Sequence, residues 1–296
     1  MARKTSKPNQ SLKIPKIILI AGKLLSLISE KLTVSFSAKL FTTPVKHKTP
    51  KRELEMDRQT RQETLAIPSI NKKVTVYHFG ESKKKVLLVH GWSGRGTQLF
   101  KFATELVKSG YSTISFDAPA HGKSFGKTTD LPEFIEVIVE LEKKFGPFEA
   151  AIGHSLGGMA LLNAVKNGLQ INHLAIIGSA DIVKDIIDDF VKQLELHHKY
   201  SDLLRKHFEY HSNMTMNSYS SSVLAKAVDI PVLIVHDEND DEVSLQCALN
   251  IHQNLKGSQL FITKNLGHRK ILGDHKVIRK VLDFINSKIT ENVSSY

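Results

Sequence analysis

The stretch Ala150-Ala151-Ile152-Gly153-His154-Ser155-Leu156-Gly157-Gly158-Met159-Ala160-Leu161-Leu162 decides how the rest of the chain is read. It opens as a short continuous apolar run, the signature of a strand covered on both faces, and closes as a segment of good helix formers. Between the two lies Gly153-x-Ser155-x-Gly157, a serine at a tight strand-to-helix turn. Such a turn strains the serine backbone, while small neighbours let the hydroxyl stand clear of the sheet. The helix that follows turns its N-terminal N–H groups towards any negative charge formed there. A glycine-serine turn without chemistry is the bland alternative, and the strand before and helix after favour a nucleophile.

Outward from this turn the chain alternates short β-branched runs with longer segments of helical spacing, a rhythm of βαβ units. The patterning predicts strands at Val74–Phe79, Val86–His90, Ser112–Phe116, Ala150–His154, Leu174–Gly178, Val232–His236 and Gln259–Thr263. Helices are expected near Gln98–Lys108, Leu131–Phe145, Met159–Asn167, Leu245–Leu255 and His275–Ile289. Continuous runs such as VLLVH and VLIVH suit a mostly parallel sheet flanked by helices, with ligands at the carboxyl ends of the strands. Between Ala180 and Ile230 a long polar-amphipathic insertion interrupts the rhythm where a lid can close over a site. Residues 42–66 read as a polar connector.

A serine hydroxyl needs a base to take its proton, and the order serine, acid, histidine suits this architecture. His268, in Asn265-Leu266-Gly267-His268 after the last strand, meets that order; His275 falls inside the terminal helix. The run His236-Asp237-Glu238-Asn239-Asp240-Asp241-Glu242-Val243 supplies aspartates after a strand. Asp240 is the choice for orienting the imidazole, with Asp237 and Asp241 as turn or capping residues and Asp181 as the outside alternative. For the oxyanion, the backbone N–H groups of Trp92 and Leu156 are the candidate donors.

HGW at 90–92, DAPAHGKS at 117–124, GHSLGG at 153–158, HDENDDEV at 236–243 and GH at 267–268 together resemble the α/β-hydrolase fold family over about residues 70–290. The resemblance implies an eight-stranded, mainly parallel sheet and a small helical cap inserted after the sixth strand, where residues 181–225 fall. It also implies a structural role for His121. Ala120 stands where the family's D-x-x-G-H-G-x-S loop has glycine. Seven strands are legible, and residues 60–73 are the place left for what is missing.

The 296 residues carry 41% hydrophobic and 24% charged composition, within the range of soluble domains. One domain is expected over 61–290, preceded by a basic, partly apolar extension over 1–60. Residues 1–85 hold 19 Lys and Arg against 6 Asp and Glu, a balance of +13, so the remaining 22 against 24 come to −2. Within 12–30, Lys16, Lys23 and Glu30 recur every seven residues amid Ile17, Ile18, Leu19, Ile20, Leu24, Leu25, Leu27 and Ile28. On one helix these charges share a polar edge beside a wide apolar arc. That arc suits either a membrane interface or packing on the protein itself. Lys23 breaks the run too early for a spanning helix or a secretory signal. Basic residues without interleaved aromatics argue against nucleic acid.

The single Cys247 requires no oxidising compartment, so a cytoplasmic location is expected, with peripheral membrane contact left open. The Gly91–Gly96 loop lacks the Lys-Ser/Thr of a P-loop and dinucleotide spacing, and His197, His198, His207 and His211 lack an H-E-x-x-H glutamate. No cofactor or metal is therefore expected. The residues point to a serine hydrolase cleaving carboxylic or thio esters of a small molecule, including acyl lipids, through an acyl-enzyme. Acyltransferase and peptidase chemistry use the same three residues. A noncatalytic binding member of the fold would be marked by loss of one of them.

Overall fold

The computed structural model describes residues 14–287 except 213. Its eight strands are β1 (Arg61–Ile67), β2 (Lys72–Phe79), β3 (Lys85–Val89), β4 (Ser112–Asp117), β5 (Ala150–His154), β6 (His173–Ile177), β7 (Val232–Asp237) and β8 (Gln259–Thr263). They form one sheet in the order β1-β2-β4-β3-β5-β6-β7-β8. Strand β2 runs antiparallel to both β1 and β4, and all other neighbours are parallel. The helices are α1 (Lys16–Ile28), α2 (Glu30–Phe41), α3 (Leu54–Gln59), α4 (Phe100–Lys108), α5 (Leu131–Phe145), α6 (Leu156–Lys166), α7 (Val183–Gln193), α8 (Lys199–Ser212), α9 (Ser221–Ala225), α10 (Leu245–Asn254), α11 (Gly267–Lys270) and α12 (His275–Asn286). Residues 288 and 289, placed in the last helix by the sequence pattern, lie outside the described residues.

Alternation along the strands sorts the core into two layers. Leu87, Val89, Ala151, Leu174, Ile176, Val232 and Ile234 face a cluster shared with α5, α6 and α10. Val86, Leu88, Ala150, Ile152, Ala175, Ile177, Leu233 and Val235 face one shared with α4 and α12. Both faces being covered is why these strands read as unbroken apolar runs.

Three expectations need correction. The connector over 42–66 is partly structured: it holds α3 and most of β1, an edge strand that buries only Leu65 and Ile67 and so shows little apolar signal. The apolar arc over 12–30 is not one helix. Ser29 adopts an extended conformation (φ −158°, ψ 125°), ends α1 and caps α2 by accepting from Leu32 N, so Glu30 opens a second helix. Residues 12 and 13 lie outside the described residues. The helix after Ser155 begins at Leu156 rather than Met159, because Gly157 and Gly158 sit inside it despite their poor propensity.

Between β6 and β7 lie α7, α8 and α9. Of these, α7 and α8 form a third apolar cluster around Val183, Ile187, Val191, Tyr200 and Leu204, against which Ile18, Leu19, Val34 and Phe41 of α1 and α2 pack, while Ala225 of α9 joins the first cluster. Phe41 meets Phe190 edge-on at 5.0 Å between ring centroids and Phe208 at 5.4 Å. Helix α2 buries Thr33, Ser37 and Ala38, a small-residue face that carries little periodic hydrophobicity in sequence. Among the described residues, no helix is long and apolar enough to cross a membrane.

Candidate active site

Ser155 sits between β5 and α6 with φ 53° and ψ −121°, a left-handed backbone that a non-glycine residue rarely adopts. Its N–H donates to Ile177 O at 2.9 Å. The turn is possible because Gly153 and Gly157, two residues to either side, lack side chains. A Cβ on Gly153 would lie 2.6 Å from Gly157 O, and one on Gly157 would lie 2.4 Å from Val89 O. Across the turn, a Cβ on Gly91 would approach the Ser155 Cβ to 2.9 Å, so the loop after β3 passes directly beside the serine. Among the described residues, neither Trp92 N–H nor Leu156 N–H donates to a protein acceptor.

His268, buried at the start of α11, contacts Asp240 through Nδ1 at 2.7 Å from Oδ2. Asp240 is itself clamped: its Oδ1 accepts from Glu242 N and Val243 N, each at 2.9 Å. A carboxylate beside Nδ1 favours the tautomer with the proton on Nδ1, which leaves Nε2 free to accept one. His154, to which the sequence pattern assigns no role, holds the other side of this histidine. Its Nε2 lies 3.0 Å from His268 O, a carbonyl that can only accept, so His154 donates there. Full burial, followed by the proximity of His268, keeps His154 well below the ordinary histidine range and hence neutral. Asp237 anchors the loop from below, accepting from Thr263 Oγ1, Asn239 N, Leu266 N and Gly267 N. Burial pushes its carboxyl up, but these hydrogen bonds prevail and hold it below the ordinary carboxylate range.

The loop carrying Trp92 is fixed from the neighbouring turn. His90 Nε2 accepts from Ala118 N, and His121 Nε2 accepts from Ser93 N, both at 3.0 Å. Asp117 accepts from Gly96 N and Lys123 N at 2.6 Å and from Tyr77 Oη at 2.7 Å. Ala120 adopts φ 63° in this turn, the left-handed position where glycine is at ease. Removing the buried phenol donor with Tyr77→Phe is expected to cost about 2 kcal/mol, because a buried carboxylate loses one of its hydrogen bonds. A fall in the urea midpoint at unchanged slope checks it.

Ser155, His268 and Trp92 line one cleft of about 620 Å³. Among its lining residues none comes from 181–225, so the insertion expected as a lid does not wall this cleft. Its outer wall is instead the segment His47–Glu53 before α3, tied down where Glu53 meets Arg95 at 3.2 Å and Thr97 Oγ1 at 2.9 Å. The other candidates lie elsewhere. Asp181 accepts from Ser222 N at 2.7 Å, and His275 is exposed at the first turn of α12. The cap histidines form two separate ring pairs, His197 with His198 and His207 with His211. Among the described residues, no group of three or more His, Cys, Asp or Glu comes together as a metal cage. Cys247 is half-buried, and burial pushes its thiol up, away from thiolate reactivity.

The sequence profile described as the alpha/beta hydrolase family matches residues 86–275, which include all of these turns. The chain belongs to that family. No curated protein sequence matches this hydrolase-family chain. Among solved structures, an esterase from Exiguobacterium antarcticum is similar, with TM-score 0.59, 20% identity, and coverage of 74% of this chain and 97% of its own. A structure described as a putative lipase from Acinetobacter baumannii gives TM-score 0.60 at 20% identity, covering 81% and 97%. A membrane phospholipase A described as a novel bacterial virulence factor gives TM-score 0.61 at 16% identity, covering 93% and 100%. At these identities the likeness is one of fold. The last extends over more of this α/β-hydrolase than the sheet domain alone supplies.

Proposed function

We propose that this protein is a serine hydrolase that cleaves carboxylic or thio esters through an acyl-enzyme. The observation that carries the reading is the 2.7 Å contact between His268 Nδ1 and Asp240 Oδ2, in a cleft that the strained Ser155 also lines. Ser155 Oγ attacks the substrate carbonyl carbon as His268 Nε2 takes its proton. The oxyanion accepts from Trp92 N–H and Leu156 N–H. His268 then gives its proton to the leaving alcohol or thiol, and water repeats the cycle to free the acid. His154 acts as a positioning residue, holding the backbone of His268.

The lining of the cleft supports an anionic substrate. Lys48, Arg52, Arg95, Lys101, Arg269 and Lys270 outnumber Glu53, Glu242 and Asp274, and after Arg95 pairs with Glu53 and Arg269 with Glu242 the balance stays positive; a net positive cleft concentrates the opposite charge. An acyl lipid with a phosphate head group meets both demands, and the similar membrane phospholipase A has an activity of that class. The test is hydrolysis of p-nitrophenyl esters of increasing acyl length, each neutral ester paired with an acidic one, by the wild type and by Ser155→Ala. Turnover that disappears in the variant and favours the acidic esters supports the reading. Turnover retained by the variant overturns it.

A further inference from the structure

Helix α1 has two apolar faces, and the protein uses only one. Successive residues on a helix turn by 100°, so Ile18, Gly22 and Leu25 share a side. That side is the docked one: Ile18 and Leu19 pack against the cap cluster, Gly22 is buried within reach of Phe36 and Leu196, and Tyr200 Oη donates to Ser26 O. Ile17, Ile20, Leu24, Leu27 and Ile28 fall within about a third of the circumference on the opposite side. Their exposures are 76%, 57%, 56%, 84% and 75%, and Leu32, just past the corner into α2, is 52% exposed. Five large aliphatics turned to water along one stripe is more than scattered surface hydrophobics supply.

The charge around this stripe decides what covers it. Residues 1–41 hold eight Lys and Arg and a single acid, Glu30. Glu30 is already paired with Lys199, and Lys23 with Glu195. Lys16 and Lys31 have no ion pair among the described residues, and the sequence ahead of the helix adds Arg3, Lys4, Lys7 and Lys13 without an acid. A second copy of the same face would bring like charges together, whereas an anionic lipid surface complements both the stripe and its rim. Thirteen residues span about 20 Å, too short to cross a bilayer and long enough to lie in its interface. We infer that α1 docks the protein on an anionic membrane surface, with Ile17, Ile20, Leu24, Leu27 and Ile28 seated at the boundary of head groups and acyl chains.

The test uses the full chain and co-sedimentation with vesicles of phosphatidylcholine alone or mixed with phosphatidylglycerol. The wild type is expected to bind the mixed vesicles, weakly the neutral ones, and less as salt rises. Leu27→Asp combined with Ile28→Asp is expected to weaken binding at least about tenfold, because two aliphatics that would seat in the membrane interface become charged. Both positions face water, so the melting temperature and turnover of a soluble ester stay at wild-type values. Three results would each overturn the inference: wild type that binds neither vesicle, a double variant that binds as well as wild type, or a dimer in light scattering that the variant dissolves. Loss of ester turnover in the wild type would strike the proposed reaction and leave this inference standing.

Discussion

Asp240→Asn is expected to lower kcat about 10⁴-fold while leaving the fold intact. The backbone N–H groups of Glu242 and Val243 both donate to Oδ1, so an asparagine keeps its carbonyl there and turns its amide NH₂ towards His268. Nδ1 must then accept rather than donate, the imidazole proton moves to Nε2, and the base can no longer receive the Ser155 proton. Steady-state turnover of the best p-nitrophenyl ester, with circular dichroism as a control for folding, measures this. A variant within tenfold of wild type would mean that Asp240 does not set the tautomer.

The second large effect is acid destabilisation well above the carboxylate range. His90 and His154 are fully buried, and burial keeps both well below the ordinary histidine value. Burial likewise pushes His121 down to about 4. An unfolded chain takes up a proton at each near pH 6.5 while the folded one does not, so stability falls as pH drops through that value. The loss continues towards the folded values. Three such groups amount to roughly 5 kcal/mol between pH 7 and pH 5, a large share of a typical domain's total. Asp117 works in the opposite direction, since burial raises its carboxyl and acid returns part of what ionisation costs. Asp237, held low, adds its own loss at lower pH. Urea midpoints at the two pH values check the sum, and equal midpoints would contradict it.

The central strands and the Ser155 turn are legible in sequence because their signals are local: apolar runs covered on both faces, and glycines spaced for one backbone turn. The same holds for the pairing of a strand-end aspartate with a histidine before the last helix, which needs only chain order. What escapes the sequence is relational. Strand β1 survives at the sheet edge on two buried side chains, and α2 buries Thr33, Ser37 and Ala38, residues that no hydrophobic period reveals. The role of His154 shows only once β5 and α11 are adjacent, although its place inside the glycine-serine turn singles it out for inspection. The wall formed by His47–Glu53 depends on a contact between Glu53 and Arg95, 42 residues apart.

The most direct test of the proposed reaction is intact-protein mass spectrometry after exposure to a fluorophosphonate, beside Ser155→Ala. Expected is one phosphonyl adduct on the folded wild type, mapped to the peptide carrying Ser155, and none on the variant. A folded wild type that takes no label, or a variant that takes as much, would contradict the assignment of Ser155 as nucleophile.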